Sequence, residues 1–304
     1  MSQLTDQHTN ECTDLKGGRM IDVGGHSLYI RKSGTGTPTV LMEPGMGATT
    51  SAYGWLEQGI ASFTTYCVYD RAGLGCSEES GQARDASAMV QQSHVLLGKA
   101  GVPGPYILMG HSLGGLLIRQ FASCYPKEIA GMVFLDSSHP EQNERLPRLT
   151  FVLPLNLLLW ATRFPWLARP LLIASIVNPS RGLPPDYFAD LAAEMKANKH
   201  INAMHTEVQA FVAMMEQVRS IGSSSPGDIP ETVFSASLPR GSSTTTMHQL
   251  HRELAALSSR STYQVVEGSM HITLVTNREY AQRIVKAVRT MVEDIRTEKI
   301  RSKL

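Results

Sequence analysis

Four short apolar runs shape the first half of the chain: Thr39–Glu43 (TVLME), Tyr66–Asp70 (YCVYD), Tyr106–Met109 (YILM) and Gly131–Leu135 (GMVFL). None alternates apolar with polar residues, so each is expected to be buried on both faces, as strands inside a parallel sheet are. Parallel neighbours need crossover connections, and helical patterns lie between and after the runs. Ala86–Lys99 follows Asp85, a good N-cap residue, and Leu113–Cys124 follows Ser112 and stops before Pro126. Met247–Leu257 is a third helical pattern, and Asn277–Ile300 repeats Tyr280, Ile284, Val288, Met291 and Ile295 at helical spacing. Two later runs, ETVFSA at 231–236 and TYQVV at 262–266, add strands, and Gly24-Gly25 within Met20–Arg31 signals a hairpin. Alternating strand and helix reads as an α/β fold with a largely parallel sheet.

The alternation lapses between 140 and 220, where no strand is expected and Phe151–Val177 carries many large apolar residues. Arg163, Pro165, Arg169 and Pro170 interrupt that stretch, so it is not a bilayer span. It is expected to be a helical cap inserted into a core formed by 18–139 and 221–301, behind a loose arm at 1–17. The polar opening Met1–His8 lacks the basic and apolar parts of a secretory signal. Residues 302–304 read Ser-Lys-Leu, a peroxisomal address in a eukaryotic host, which would make an import receptor a partner; otherwise a cytoplasmic location is expected.

A formal charge of +1 over 304 residues lacks the basic excess of a nucleic-acid binder. Cys12, Cys67, Cys76 and Cys124 make neither a disulfide framework nor a C-x-x-C pair, so no zinc site is expected. Cys67 and Cys124 read as small buried hydrophobes. Met195, Met204, Met214 and Met215 read as packing residues, and no cofactor is implied.

Gly110-His111-Ser112-Leu113-Gly114-Gly115 joins a strand to a helix. Such a turn crowds the backbone, so small residues at 110 and 114 make room and Ser112 is pushed outward as a nucleophile. The helix N-terminus offers free N–H groups to a developing oxyanion. A serine hydroxyl needs a base. His271 follows the last strand, on the loop where that base belongs. His111 reads as structural, His139 as a residue that lines the site, and His248 and His251 as surface or packing residues. The segment after ETVFSA, Ser237–Thr246, has no carboxylate, and Asp228 lies at the wrong end of that strand. Asp136, at the end of the strand after the nucleophile helix, is therefore the expected orienting acid. The oxyanion donors are expected to be the N–H groups of Leu113 and of Met46, in the loop Pro44-Gly45-Met46-Gly47. Asp70-Arg71 reads as a structural turn outside the mechanism.

Together, Glu43–Gly47, Tyr69–Gly75, the Ser112 turn, Leu135–Pro140 and Gly268–His271 resemble the α/β-hydrolase superfamily. The resemblance implies an eight-stranded, mostly parallel sheet with helices on both faces, and ester-type hydrolysis through an acyl-enzyme. Two departures stand out: Pro44-Gly45 replaces the common His-Gly, and the acid is shifted to Asp136, as in a subset of the superfamily. Ser112 argues against the haloalkane dehalogenase and epoxide hydrolase branches, which use Asp there. More loosely, the fold signature with the Ser-Lys-Leu tail resembles fungal hydrolases of the AK-toxin type, which points to secondary metabolism.

The expected reaction is hydrolysis of a carboxylic ester or thioester with a hydrophobic acyl group. Acyl transfer, C–C or lactone hydrolysis on the same residues, and a receptor with little turnover remain open alternatives.

Overall fold

The structure is a computed structural model describing residues 17–146, 178–222 and 228–301. Residues 1–16 of the expected arm, the apolar stretch Phe151–Val177 and the Ser-Lys-Leu tail lie outside the described residues. The strands are β1 (Arg19–Asp22), β2 (Ser27–Ser33), β3 (Thr39–Glu43), β4 (Tyr66–Tyr69), β5 (Tyr106–His111), β6 (Ile129–Leu135), β7 (Glu231–Leu238) and β8 (Ser261–Met270). The longer described helices are α1 (Gly54–Ile60), α2 (Ala86–Lys99), α3 (Gly114–Cys124), α4 (Pro185–Glu194), α5 (Asn198–Ser220), α6 (Ser242–Ala255) and α7 (Arg278–Arg301).

The eight strands form one sheet in the order β1-β2-β4-β3-β5-β6-β7-β8. β1, β2 and β4 pair antiparallel, and every later pairing is parallel. The apolar runs split between two faces because successive strand side chains point opposite ways. Val40, Met42, Ile107, Met109, Val133 and Leu135 pack under α1 and α7. Their neighbours Leu41, Leu108, Met132 and Phe134 pack under α2, α3 and the end of α5. Continuous apolar sequence is thus what a sheet covered on both faces requires. α2 begins where expected, with Ala88 N–H donating to Asp85 Oδ1 at 2.9 Å.

The expected helix at 247–257 starts earlier, at Ser242, and β8 runs to Met270, so His271 follows the strand directly. Between β6 and β7 the described residues are helical or irregular, with α4 and α5 as the main elements. Among the described residues no helix is long and apolar enough to cross a membrane. Cys67 is buried as expected, but Cys124 is exposed, because it closes α3 on its solvent side. Cys76 is disulfide-bonded.

Candidate active site

The parallel strands deliver the expected residues to one edge of the sheet. Ser112 follows β5 and Asp136 follows β6, with His111 and Leu135 as the last register pair. His271 follows β8. The room at the Ser112 turn comes from its glycines. A Cβ on Gly114 would lie 2.1 Å from the Glu43 carbonyl oxygen, and one on Gly110 would lie 2.5 Å from the Gly114 carbonyl oxygen. Ser112 itself is left-handed, with φ of 53°.

His271 Nδ1 lies 2.6 Å from Asp136 Oδ2. The other carboxylate oxygen accepts the Ala236 N–H at 2.9 Å. Burial works to raise the Asp136 pKa, but the hydrogen bond and charge of His271, with smaller help from His251 and Ala236 N–H, outweigh it. The carboxyl is held well below the usual range and stays ionised. An ionised carboxylate only accepts, so the imidazole donates from Nδ1 and keeps Nε2 free as an acceptor. Ser112 and His271 face a common cavity of about 270 Å³. Its walls are mostly apolar and include Met46, Tyr53, Leu191, Met204, Ile272 and Val275.

The 44–47 loop lies against the serine: a Cβ on Gly45 would sit 3.3 Å from Ser112 Cβ. Pro44 has no N–H. Gly45 N–H donates to the Tyr53 hydroxyl at 2.8 Å, and Gly47 N–H donates to Glu207 Oε2 at 2.8 Å. Among the described residues Met46 N–H and Leu113 N–H have no acceptor.

Three buried groups around the site were expected from the sequence to be structural, surface or packing residues. His111 Nε2 is 3.1 Å from the His271 carbonyl oxygen, which can only accept, so Nε2 carries the proton. Its Nδ1 then accepts from the Tyr53 hydroxyl at 3.2 Å. One chain of hydrogen bonds thus runs from Gly45 through Tyr53 and His111 to the backbone of His271. Burial, then the nearby His271, pushes the His111 pKa down to about 3, so this ring is neutral. Its ring stacks on that of His271 with centroids 4.7 Å apart. His251 is fully buried beside Asp136, so of the two readings, surface or packing, the packing one holds. It donates from Nε2 to the Ser137 carbonyl at 2.9 Å and accepts from the Ser235 hydroxyl at 2.6 Å.

Arg71 is the third, and its reading as a turn residue is too narrow. Its guanidinium donates to the Pro44 carbonyl at 2.7 Å and to the Gly45 carbonyl at 2.6 Å. The sequence signal was an arginine at a strand end inside an apolar neighbourhood. Other readings also shift. His139 does not line the cavity; its Nε2 lies 4.0 Å from Glu253. His248 is half-buried, with Nε2 donating to the Ala236 carbonyl at 2.8 Å. Met195, Met214 and Met215 pack internally, whereas Met204 walls the cavity.

Comparison with known proteins agrees with this architecture. Over 139 residues the chain is 35% identical to YbdG of Bacillus subtilis, an uncharacterised protein; the match covers 45% of this chain and 43% of YbdG. A superfamily protein of Gibberella zeae is 32% identical over 117 residues, 36% of this chain and 35% of that protein. The chain therefore matches less than half the length of these curated relatives. The structure resembles the Cif epoxide hydrolase of Acinetobacter nosocomialis at a TM-score of 0.75 and 15% identity, covering 95% and 96% of the two chains. It resembles the enol-lactonase of Burkholderia xenovorans at 0.68 and 18%, covering 90% and 100%. At these identities the likeness shows the fold alone. Residues 40–287, well over half of the chain, match the Alpha/beta hydrolase family model, and the chain belongs to that family.

Proposed function

We propose that this hydrolase cleaves carboxylic esters or thioesters with a small hydrophobic acyl group, through an acyl-enzyme on Ser112. The observation that carries the reading is the 2.6 Å contact of His271 Nδ1 with Asp136 Oδ2, beside a serine that shares one apolar cavity with His271.

Ser112 Oγ attacks the acyl carbonyl carbon while His271 Nε2 takes its proton. Asp136 holds the imidazole in the Nδ1–H tautomer and stabilises the imidazolium. The oxyanion of the tetrahedral intermediate is bound by Met46 and Leu113 N–H. As the carbon–oxygen or carbon–sulfur bond breaks, His271 returns the proton to the departing alcohol or thiol. Water then attacks the acyl-enzyme, losing its proton to His271. The carboxylic acid leaves, and Ser112 regains its hydrogen. The apolar-walled cavity supports a modest hydrophobic acyl group: a cavity of about 150 Å³ takes a benzene-sized molecule, and this one has about 270 Å³.

The test is turnover by wild type and Ser112→Ala on p-nitrophenyl esters of graded chain length, beside matched acyl-CoAs. Multiple turnovers that vanish in Ser112→Ala, with an optimum at short or medium chains, support the reading. Full activity in folded Ser112→Ala overturns it. Turnover only with an added acceptor alcohol would make the protein a transferase.

A further inference from the structure

Glu207 lies within α5, between β6 and β7, yet its carboxylate reaches the 44–47 loop, 160 residues away from Gly47 in sequence. It is fully buried and grips Arg71 with both oxygens: Nε to Oε1 at 2.6 Å and Nη2 to Oε2 at 3.0 Å. Arg84 Nη1 stands 3.5 Å from the same carboxylate. Burial opposes the charge on Glu207, but Arg71 outweighs burial and holds the carboxyl below its usual range.

The consequence follows from peptide geometry. In a planar trans peptide the C=O and the following N–H point in opposite directions. The Gly45 carbonyl is drawn to Arg71 Nη2, so the N–H of the same peptide unit, that of Met46, is turned away from Arg71. The preceding unit is held at both ends, with the Pro44 carbonyl on Arg71 and Gly45 N–H on Tyr53. Glu207 fixes the guanidinium that does this and pins Gly47 N–H directly.

We propose that Glu207 is a positioning residue for acyl transfer: through Arg71 it sets the peptide that presents Met46 N–H, so the seating of α5 is a condition of oxyanion binding as well as a wall for substrate. This inference rests on the serine hydrolase reading above. It ties the reaction to the inserted segment, because a substrate that prevents α5 from seating would meet a loop whose donor is no longer aimed.

The experiment compares wild type, Glu207→Gln and the double variant Arg71→Met/Glu207→Met. Replacing both partners leaves neither Arg71 nor Glu207 as a fully buried charge without its mate, and only the less buried Arg84 loses a neighbour. Glu207→Gln keeps the shape and one acceptor should the double variant not fold. Each is assayed for kcat and KM on a short p-nitrophenyl ester, for melting temperature, and for inhibition by a trifluoromethyl ketone of matched acyl length. The ketone adds to the serine as a tetrahedral oxyanion and so reports the donors. Folded double variant is expected to lose about 100-fold in kcat, with KM little changed, and to bind the ketone weaker by about the same factor. Glu207→Gln is expected to lose less, in the same two quantities. Variants that fold and keep both kcat and ketone affinity overturn the proposal. Ser112→Ala is run alongside: if it retains turnover the hydrolase reading itself fails, whereas a dead Ser112→Ala with intact Glu207 variants removes this inference alone.

Discussion

Ser112 and Asp136 share one backbone geometry: φ is 53° at the first and 44° at the second, and they are the non-glycine residues with positive φ among those described. They leave adjacent parallel strands at the same level. Ser112 N–H donates to the Leu135 carbonyl at 3.2 Å, and Asp136 N–H donates to the Phe234 carbonyl at 2.8 Å. A left-handed conformation costs such a residue about 1–3 kcal/mol and persists only when its surroundings impose it. Here the strand-end hydrogen bonds impose it twice, at the proposed nucleophile and at its proposed acid.

Asp136→Asn tests the acid. An amide presents an N–H to His271 Nδ1 and favours the tautomer whose Nε2 carries the proton. Turnover is expected to fall by about 10⁴, with the fold and KM retained. A near-normal rate would move the acid elsewhere.

Tyr53→Phe removes one hydroxyl and leaves Gly45 N–H and His111 Nδ1 without their partner. Unsatisfied buried groups cost about 1–3 kcal/mol, so thermal stability should drop by about that amount. Loosening of the loop should lower kcat more than it changes KM. Unchanged kcat in the folded variant would separate the hydrogen-bond chain from turnover.

His111 gives stability a pH dependence with a definite sign. Its pKa is about 3 in the folded protein, against about 6.5 for an unfolded imidazole. Between those values the unfolded chain binds more protons, so His111 makes stability fall as pH drops below about 6.5, by at most about 1.4 kcal/mol per pH unit. Glu43, pushed up to about 7 by burial, acts in the opposite sense. The comparison that isolates His111 is therefore wild type against His111→Gln by chemical denaturation. The variant should lose less stability between pH 6.5 and pH 4, and parallel curves would contradict the buried neutral ring.

Met204 is nearly fully buried and walls the cavity beside Gly47. Met204→Ala should enlarge the cavity, shift the preferred acyl chain to greater length, and cost about 2–5 kcal/mol of stability. The profile of kcat/KM across an ester series reads this directly. An unchanged optimum would place the acyl group on another wall.

Much of this molecule is legible in local sequence. The apolar runs at 39–43, 66–70, 106–109 and 131–135 became central strands, because strands covered on both faces need apolar side chains at every position. Gly110-His111-Ser112-Leu113-Gly114 could be read as a strand-to-helix turn because the room it needs is supplied by residues within the motif. Even the meeting of Asp136 with His271 could be anticipated, since parallel strands send their following residues to the same edge. Arg71 on the loop carbonyls, Glu207 on Arg71, and Tyr53 on His111 could not. Each joins segments remote in sequence and has no period or spacing of its own. Those partners are selected by the packing of α5 and α1 against the sheet edge, where buried N–H, C=O and charged groups must find one another because water is excluded.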